Sequence, residues 1–215
     1  MAIIVVAGRK GGVGKSTIAG NLGGEFVSMG YAVALLDADP QHSLAAWAAQ
    51  GTGVLAACVE SVKRGDADEL KARTRAADKA AEIVLIDTPP GMPETTSQAL
   101  LLADLALLPC GPSPLDLFAL KEALALALHA RAVRGSKKPR IRFVPSKVLM
   151  GTTLGRGLVP SLEKMGKKVL PAISQRIALA QAVEVGLTIG EYAPGSPAHE
   201  EFRQLAKAVD KIVSR

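Results

Sequence analysis

The chain reads as an α/β protein: a doubly wound, mostly parallel sheet with helices on both faces. Three observations lead there. Short apolar, β-rich runs alternate with longer amphipathic stretches; each run is apolar at nearly every position, as in strands covered on both sides; and polar residues gather directly after the runs. Open sheets of this kind bind ligands beyond the carboxyl ends of their strands, so the third observation also predicts where the site lies.

The first strand is "AIIVVA", Ala2 to Ala7, and "GRKGGVGKST" carries it into a helix from Ser16 to Met29. "AVALLDAD", Ala32 to Asp39, is the second. A helical pattern from Ala67 to Ala81 leads to the third, "EIVLIDTPP", Glu82 to Pro90. "LALLP", Leu105 to Pro109, is the fourth, followed by "CGPSPLD" and a helix from Leu115 to Arg134. The fifth, "IRFVPS", Ile141 to Ser146, precedes helices from Leu154 to Met165 and from Pro197 to Val213. No linker or internal repeat interrupts this order, so residues 1–215 are expected to form a single domain, long enough to bury a full core without disulfides or metal.

Nearly half the residues are apolar (48%) and only 3% are aromatic, which suits close packing of helices on a sheet and leaves little for stacking on bases. Cys58 and Cys110 lie far apart in apolar surroundings without metal-ligand spacing, and buried structural thiols are expected. No stretch reaches the roughly 20 apolar residues of a membrane span and no leader pattern opens the chain, so a cytoplasmic protein is expected. The formal charge of +6, with a pI near 9.4, points to a polyanionic partner.

A strand, a glycine-rich turn and Lys-Ser-Thr opening a helix form a phosphate cradle. Glycines let backbone N–H groups converge on the anion, the helix N-terminus adds its dipole, Lys15 supplies a point charge, and the Ser16 hydroxyl can hold Mg²⁺. The generic loop pattern asks for glycine at position 9, where this chain has Arg9, so the loop is a variant. A Mg-nucleotide site also needs a carboxylate at the end of a neighbouring strand, and Asp87 in "IVLIDTPPG" provides it. Asp39 in "DADPQ" could orient an attacking water. Asp37, two residues earlier, faces the same side of its strand, and the sequence does not choose between them.

Taken together, "KGGVGKST", "DADPQHSLAAWA" and "LIDTPPG" resemble the ParA/MinD family of deviant-Walker ATPases, a branch of the P-loop NTPases. "GPSPLDLFAL" and "SQRIALAQA" are similar to the small plasmid-partition ParA proteins that lack an N-terminal DNA-reading domain, and sequence-specific operator binding is accordingly not expected. The resemblance implies ATP and Mg²⁺ as ligands, with the loop from Gly11 through Gly12, Val13 and Gly14 to Lys15, Ser16 and Thr17 holding the phosphates. It gives the extra lysine, Lys10, a role: reaching across an ATP-dependent homodimer to the phosphates of the other subunit, as an arginine finger does in trans. ADP, lacking the γ-phosphate, does not hold such a dimer closed. Asp39 then matches the acid that positions water, and Ser16, Asp39 and Asp87 surround the metal. Gly11 matches a glycine kept small by the subunit contact, and Thr88 to Gly91 a switch that senses the γ-phosphate. Ser146 and Lys147, and the turn from Tyr192 to Pro194, fall where the family contacts the base. Pro112 and Pro114 suit either a subunit contact or a turn that starts a helix.

Two basic features remain. "RAVRGSKKPRIR", Arg131 to Arg142, contains six cations and no acid, with Lys164, Lys167 and Lys168 beyond it; the last helix lines up Arg203, Lys207 and Lys211. Each reads either as a solvated face or as a surface for sequence-independent DNA binding. Lys164, Lys167, Lys168, Arg176, Arg203 and Lys207 are the candidates for DNA contact, Arg176 by its place in "SQR". The resemblance therefore implies a nucleoid-associated ATPase whose slow hydrolysis is stimulated by a ParB-like or other cargo adaptor. The alternatives are a MinD-like membrane switch, with the last helix on lipid, and a metabolic or electron-transfer ATPase on the same scaffold.

Overall fold

The computed structural model describes residues 2–63 and 67–214. Among them seven strands form one sheet: β1 (Ala2–Val6), β2 (Val33–Asp37), β3 (Val59–Ser61), β4 (Ile83–Asp87), β5 (Leu105–Cys110), β6 (Arg140–Pro145) and β7 (Lys168–Val169). Their order is β3-β2-β4-β1-β5-β6-β7, and every neighbouring pair runs parallel. All five predicted strands are present, and β3 and β7 extend the two edges. With three and two residues, those two carry no period of their own; they form because β2 and β6 each offer an unpaired edge.

The helices are α1 (Lys15–Ser28), α2 (Ser43–Ala48), α3 (Val54–Cys58), α4 (Ala67–Ala80), α5 (Pro93–Leu102), α6 (Pro114–Val133), α7 (Thr153–Glu163), α8 (Ile177–Glu184), α9 (Ile189–Tyr192) and α10 (Pro197–Val213). Strand alternation divides them into two layers. Ile4 and Val6, with Leu35, Leu85 and Leu107, face a layer made by α1, α2, α3, α8, α9 and α10. Val5, with Leu36, Ile86 and Leu108, faces α4, α5, α6 and α7. This is why the strands are apolar at successive positions: neither face meets water. Cys58 packs with the first layer and Cys110 with the second. Burial pushes their thiols up to about 11 and about 12, respectively, and with the sheet between them they cannot share a cluster.

Two helix starts matter for the site. At α6 the Ser113 hydroxyl accepts the Asp116 N–H at 3.1 Å while Asp116 accepts the Ser113 N–H, a capping box with Pro114 in the first turn. Pro114 thus serves the helix start. At α10 Ser196 caps His199 N–H at 3.2 Å. Phe202, Leu205 and Val209 are fully buried, and Ile212 and Val213 pack partly against the same core. The apolar face of α10 is therefore spent inside the molecule, against α1 and its neighbours. Among the described residues no helix is long and apolar enough to cross a membrane.

Candidate functional site

β1 lies between β4 and β5, and the loop that leaves its carboxyl end enters α1 at the rim of the sheet. Gly14, immediately before α1, has φ +94°, and a Cβ there would sit 2.8 Å from the Ser146 hydroxyl oxygen. Only glycine meets both conditions. No side chain caps α1 and no acid occupies its first turn, which leaves its N–H groups free to meet an anion.

Lys15 is 5% exposed, and its Nζ donates to the Lys10 carbonyl at 3.2 Å. Burial lowers its pKa, and the nearby Asp87 and Asp39 pull it back up. Asp87, at the end of β4, is 1% exposed, and among the described residues neither carboxylate oxygen has a hydrogen-bond partner. Burial raises its pKa to about 7; the approaching Ser16 hydroxyl and Lys15 oppose the rise, while Asp37 and Asp39 add to it. A buried, unpartnered carboxylate beside a hydroxyl is a donor set suited to a hard divalent cation. Among the described residues no cluster of three or more acids, histidines or cysteines could hold a metal alone. Mg²⁺ fits this arrangement, since it takes one or two protein oxygens and completes its shell with phosphate and water.

The structure separates the two aspartates that the sequence left equivalent. Asp37 is fully buried and both its oxygens are engaged, by Asp39 N–H at 3.0 Å and Ala45 N–H at 2.9 Å, so it braces the turn into α2. Asp39 accepts only the Gln41 N–H, at 2.9 Å, and lines the cavity over the phosphate loop. That cavity, about 300 Å³, is bounded by Gly11, Gly12, Gly14 to Thr17, Asp39, Gln41, Ser43, Pro90 and Lys147.

A second cavity of about 340 Å³ adjoins it, sharing Gly14, Thr17 and Lys147, and is walled by Ser146, Ile173 to Arg176 and the α8 residues Leu179, Ala180 and Val183. Its apolar wall suits a base, with Ser146 and Ser174 as polar partners. Ser146 lines this cavity and Lys147 borders both cavities. Pro194 is exposed on the turn between α9 and α10 and is not among the lining residues. The reason is tertiary. α9 is tied to α1 further along that helix, through the Asn21 side-chain oxygen accepting Ile189 N–H at 2.7 Å, which draws the following turn away from the loop.

The two cations that make the loop a variant point outward. Lys10 pairs with Asp116 at 2.6 Å and Arg9 with Glu122 at 3.0 Å, both acids on α6. Lys10 is 42% exposed at its side chain, in contrast to the buried Lys15. Burial alone raises the Asp116 pKa, but the hydrogen bonds from Lys10 and Ser113 outweigh it and hold the carboxyl below its ordinary range. The loop after β4 is stitched to the same segment: Thr88 Oγ1 donates to the Val6 carbonyl at 3.0 Å and Gly91 N–H to the Arg9 carbonyl at 3.2 Å. Sequence reading missed Asp116 and Glu122, although Ser-x-x-Asp in "SPLD" is a helix-start signature. Gln41, Ser43, Ser174 and Gln175 lie inside the quoted motifs but were given no role, and Ile173 lies outside them.

The candidates for DNA contact are only partly brought together, Lys167 and Lys168 lining one groove. Lys164 and Lys168 are exposed at the turn from α7 into β7, with Lys167 between them half-buried. Arg176 is bound to Glu201 at 2.7 Å and Arg203 to Glu200 at 2.9 Å, so each has a carboxylate already; Lys207 is exposed on α10.

Residues 4–189 match the family model of the CobQ/CobB/MinD/ParA nucleotide binding domain. The chain is 29% identical to the maintenance of carboxysome distribution protein A of Halothiobacillus neapolitanus, over 96% of this chain and 95% of that protein. It is 30% identical to the chromosome-partitioning ATPase Soj of Thermus thermophilus, over 96% and 94%. The septum site-determining protein MinD of Pyrococcus horikoshii, solved with Mg-ADP, shares the fold with a TM-score of 0.78 at 19% identity, covering 98% of this chain and 96% of that one. With a variant phosphate loop, an unpartnered acid beside its serine and a match along most of the chain, this protein belongs to the CobQ/CobB/MinD/ParA nucleotide-binding family, among the ParA/MinD partitioning ATPases.

Proposed function

We propose that this protein is a ParA-type partitioning ATPase that closes into a sandwich homodimer on ATP, binds DNA without sequence preference, and hydrolyses ATP to position or segregate a cargo. The observation that carries this reading is the division of labour between two lysines. Lys15 is buried inside the phosphate cradle, whereas Lys10 stands outside it, exposed and held only by an ion pair. A cation in that position contributes nothing to phosphates in its own cradle but is accessible to those of a facing subunit.

Lys15 and the α1 N-terminus hold the phosphates, Ser16 and Asp87 hold the metal, and Asp39 orients the attacking water. Mg²⁺ held by Ser16 and Asp87 would supply charge that offsets the negative phosphates. The stitching of Thr88 and Gly91 to Val6 and Arg9 lets the loop after β4 report on the phosphate side. The cargo is a plasmid, a chromosome region or a protein assembly engaged through a ParB-like or other adaptor; relatives named for chromosome partitioning and for carboxysome distribution support that range. Localisation on the nucleoid follows from DNA binding in the ATP state. The burial of Phe202, Leu205 and Val209 argues against α10 lying on lipid. The separated cysteines speak against an electron-transfer ATPase.

The test is size-exclusion chromatography with light scattering, in ATP and in ADP, on the parent, Lys10→Ala and Asp39→Ala. The parent dimerises in ATP only, Lys10→Ala binds ATP as a monomer, and Asp39→Ala accumulates a dimer that hydrolyses ATP slowly. Equal dimerisation of Lys10→Ala and parent sinks the cross-subunit role, and normal turnover by Asp39→Ala removes its assignment.

A further inference from the structure

At the far end of the sheet from the phosphate loop lies a groove of about 470 Å³ whose walls are almost entirely cationic. Arg131, Lys137 and Lys138 come from the end of α6 and the turn after it, Arg140 and Arg142 from β6, and Lys167 and Lys168 from the turn before β7 and its first residue. Two uncharged residues, Ile141 and Gly166, complete the lining. Among the described residues one acid offsets this charge: Asp104 pairs with Lys138 at 2.7 Å. Arg140 donates to the Ile212 carbonyl. Among the described residues, Arg131, Lys137, Lys167 and Lys168 form no ion pair with a carboxylate. The cations also crowd one another, since burial and then the Arg140 charge hold the Arg142 pKa below its ordinary value.

A concave surface that collects cations from three separate segments and leaves most unneutralised is a site for a polyanion. The lining contains no aromatic ring to stack a base and no carboxylate or amide to read a base edge. What it can hold is phosphate. Two of the candidates named from the sequence, Arg176 and Arg203, lie elsewhere and are paired with Glu201 and Glu200.

We infer that this groove is the seat for the sugar-phosphate backbone of duplex DNA. The inference rests on the DNA-binding reading above and deepens it. Because the groove lies at the amino ends of β6 and β7 and the phosphate loop at the carboxyl end of β1, in a parallel sheet, the two sites are separated by about the length of a strand, roughly 20 Å. Nucleotide does not touch the groove. The monomer therefore binds DNA weakly in any nucleotide state, and because a sandwich dimer closes at the phosphate loops its two grooves lie at opposite outer ends, so ATP raises affinity where two DNA segments are held at once and not on a single short duplex.

The experiment is fluorescence anisotropy of a random-sequence duplex, titrated across salt with no nucleotide, ADP or ATP. The proteins are the parent, a groove variant (Lys137→Ala, Lys167→Ala, Lys168→Ala) and an α10 variant (Arg203→Ala, Lys207→Ala), each checked for parental melting temperature and ATP binding. Three lost phosphate contacts lower the salt slope by about 2.7, so the loss of affinity between about 50 and 200 mM salt shrinks by about 40-fold relative to the parent. The α10 variant keeps the parental slope. A groove variant with parental slope and affinity overturns the groove while leaving DNA binding intact. A parent that binds no duplex in any state overturns the DNA-binding reading itself. The same variants are pelleted with phosphatidylglycerol vesicles: if the groove variant loses vesicle binding and keeps DNA binding, the occupant is a lipid surface and the proposal fails.

Discussion

Asp87→Asn turns the buried carboxylate at the phosphate site into a measurement. Asp87 is 1% exposed with both oxygens unpartnered, and burial raises its pKa from 3.8 to about 7. Between those two values the unfolded chain has released this proton and the folded chain has kept it. Stability therefore falls as pH rises through that window and is level above it. The whole shift corresponds to about 4 kcal/mol, of which about 3 kcal/mol falls between pH 5 and 8. The variant cannot ionise there. Its buried amide costs on the order of 1–3 kcal/mol for lost solvation, independent of pH. The quantity to read is thus the change with pH of the stability difference between variant and parent, in which the raised Asp37 and Glu25 carboxyls cancel. Urea unfolding in EDTA, across that pH range, should show Asp87→Asn gaining about 3 kcal/mol on the parent toward alkaline pH. Parallel pH profiles would refute the reasoning, because they require Asp87 to ionise as easily folded as unfolded.

Lys15→Ala should abolish nucleotide binding by isothermal calorimetry while leaving the melting temperature near that of the parent. Gly14→Ala and Gly11→Val should part company: alanine at position 14 meets Ser146 at 2.8 Å in a left-handed backbone, whereas Gly11 has its nearest neighbour, Pro90, at 4.0 Å. Gly14→Ala therefore loses ATP affinity, and Gly11→Val binds ATP as a monomer but fails to dimerise in light scattering. Phe202→Ala, at a fully buried position between α10 and α1, should lower unfolding free energy by about 3–5 kcal/mol in urea titration, without altering the phosphate loop.

How much was legible follows from how local each signal is. The phosphate loop was readable because its chemistry is compressed into consecutive residues: Gly12 and Gly14 both adopt positive φ, and Lys15 and Ser16 follow at once. The choice between Asp37 and Asp39 was not readable from strand alternation, which puts both on the same side, and only the family resemblance pointed to Asp39. The choice depends on where the Ala45 N–H of the next helix comes to rest. Pro194 was misplaced for a related reason: Asn21 anchors α9 partway along α1, and nothing in the sequence of the turn records that anchor. Asp116 went unnoticed as the partner of Lys10 because 106 residues separate them.

By itself the sequence determined the fold class, the five central strands, the phosphate loop and the family, since apolar periodicity and contiguous motifs are properties of neighbouring residues. Tertiary structure decided everything that depends on which distant segments meet. It added β3 and β7 at the sheet edges, turned Asp37 into a brace and left Asp39 in the cavity. It also put Lys10 on Asp116 and divided the cations, neutralising Arg176 and Arg203 and gathering those near β6 into one groove. Charge is additive along a sequence, but a field is set by the distances among charges, and those distances exist only in the folded chain.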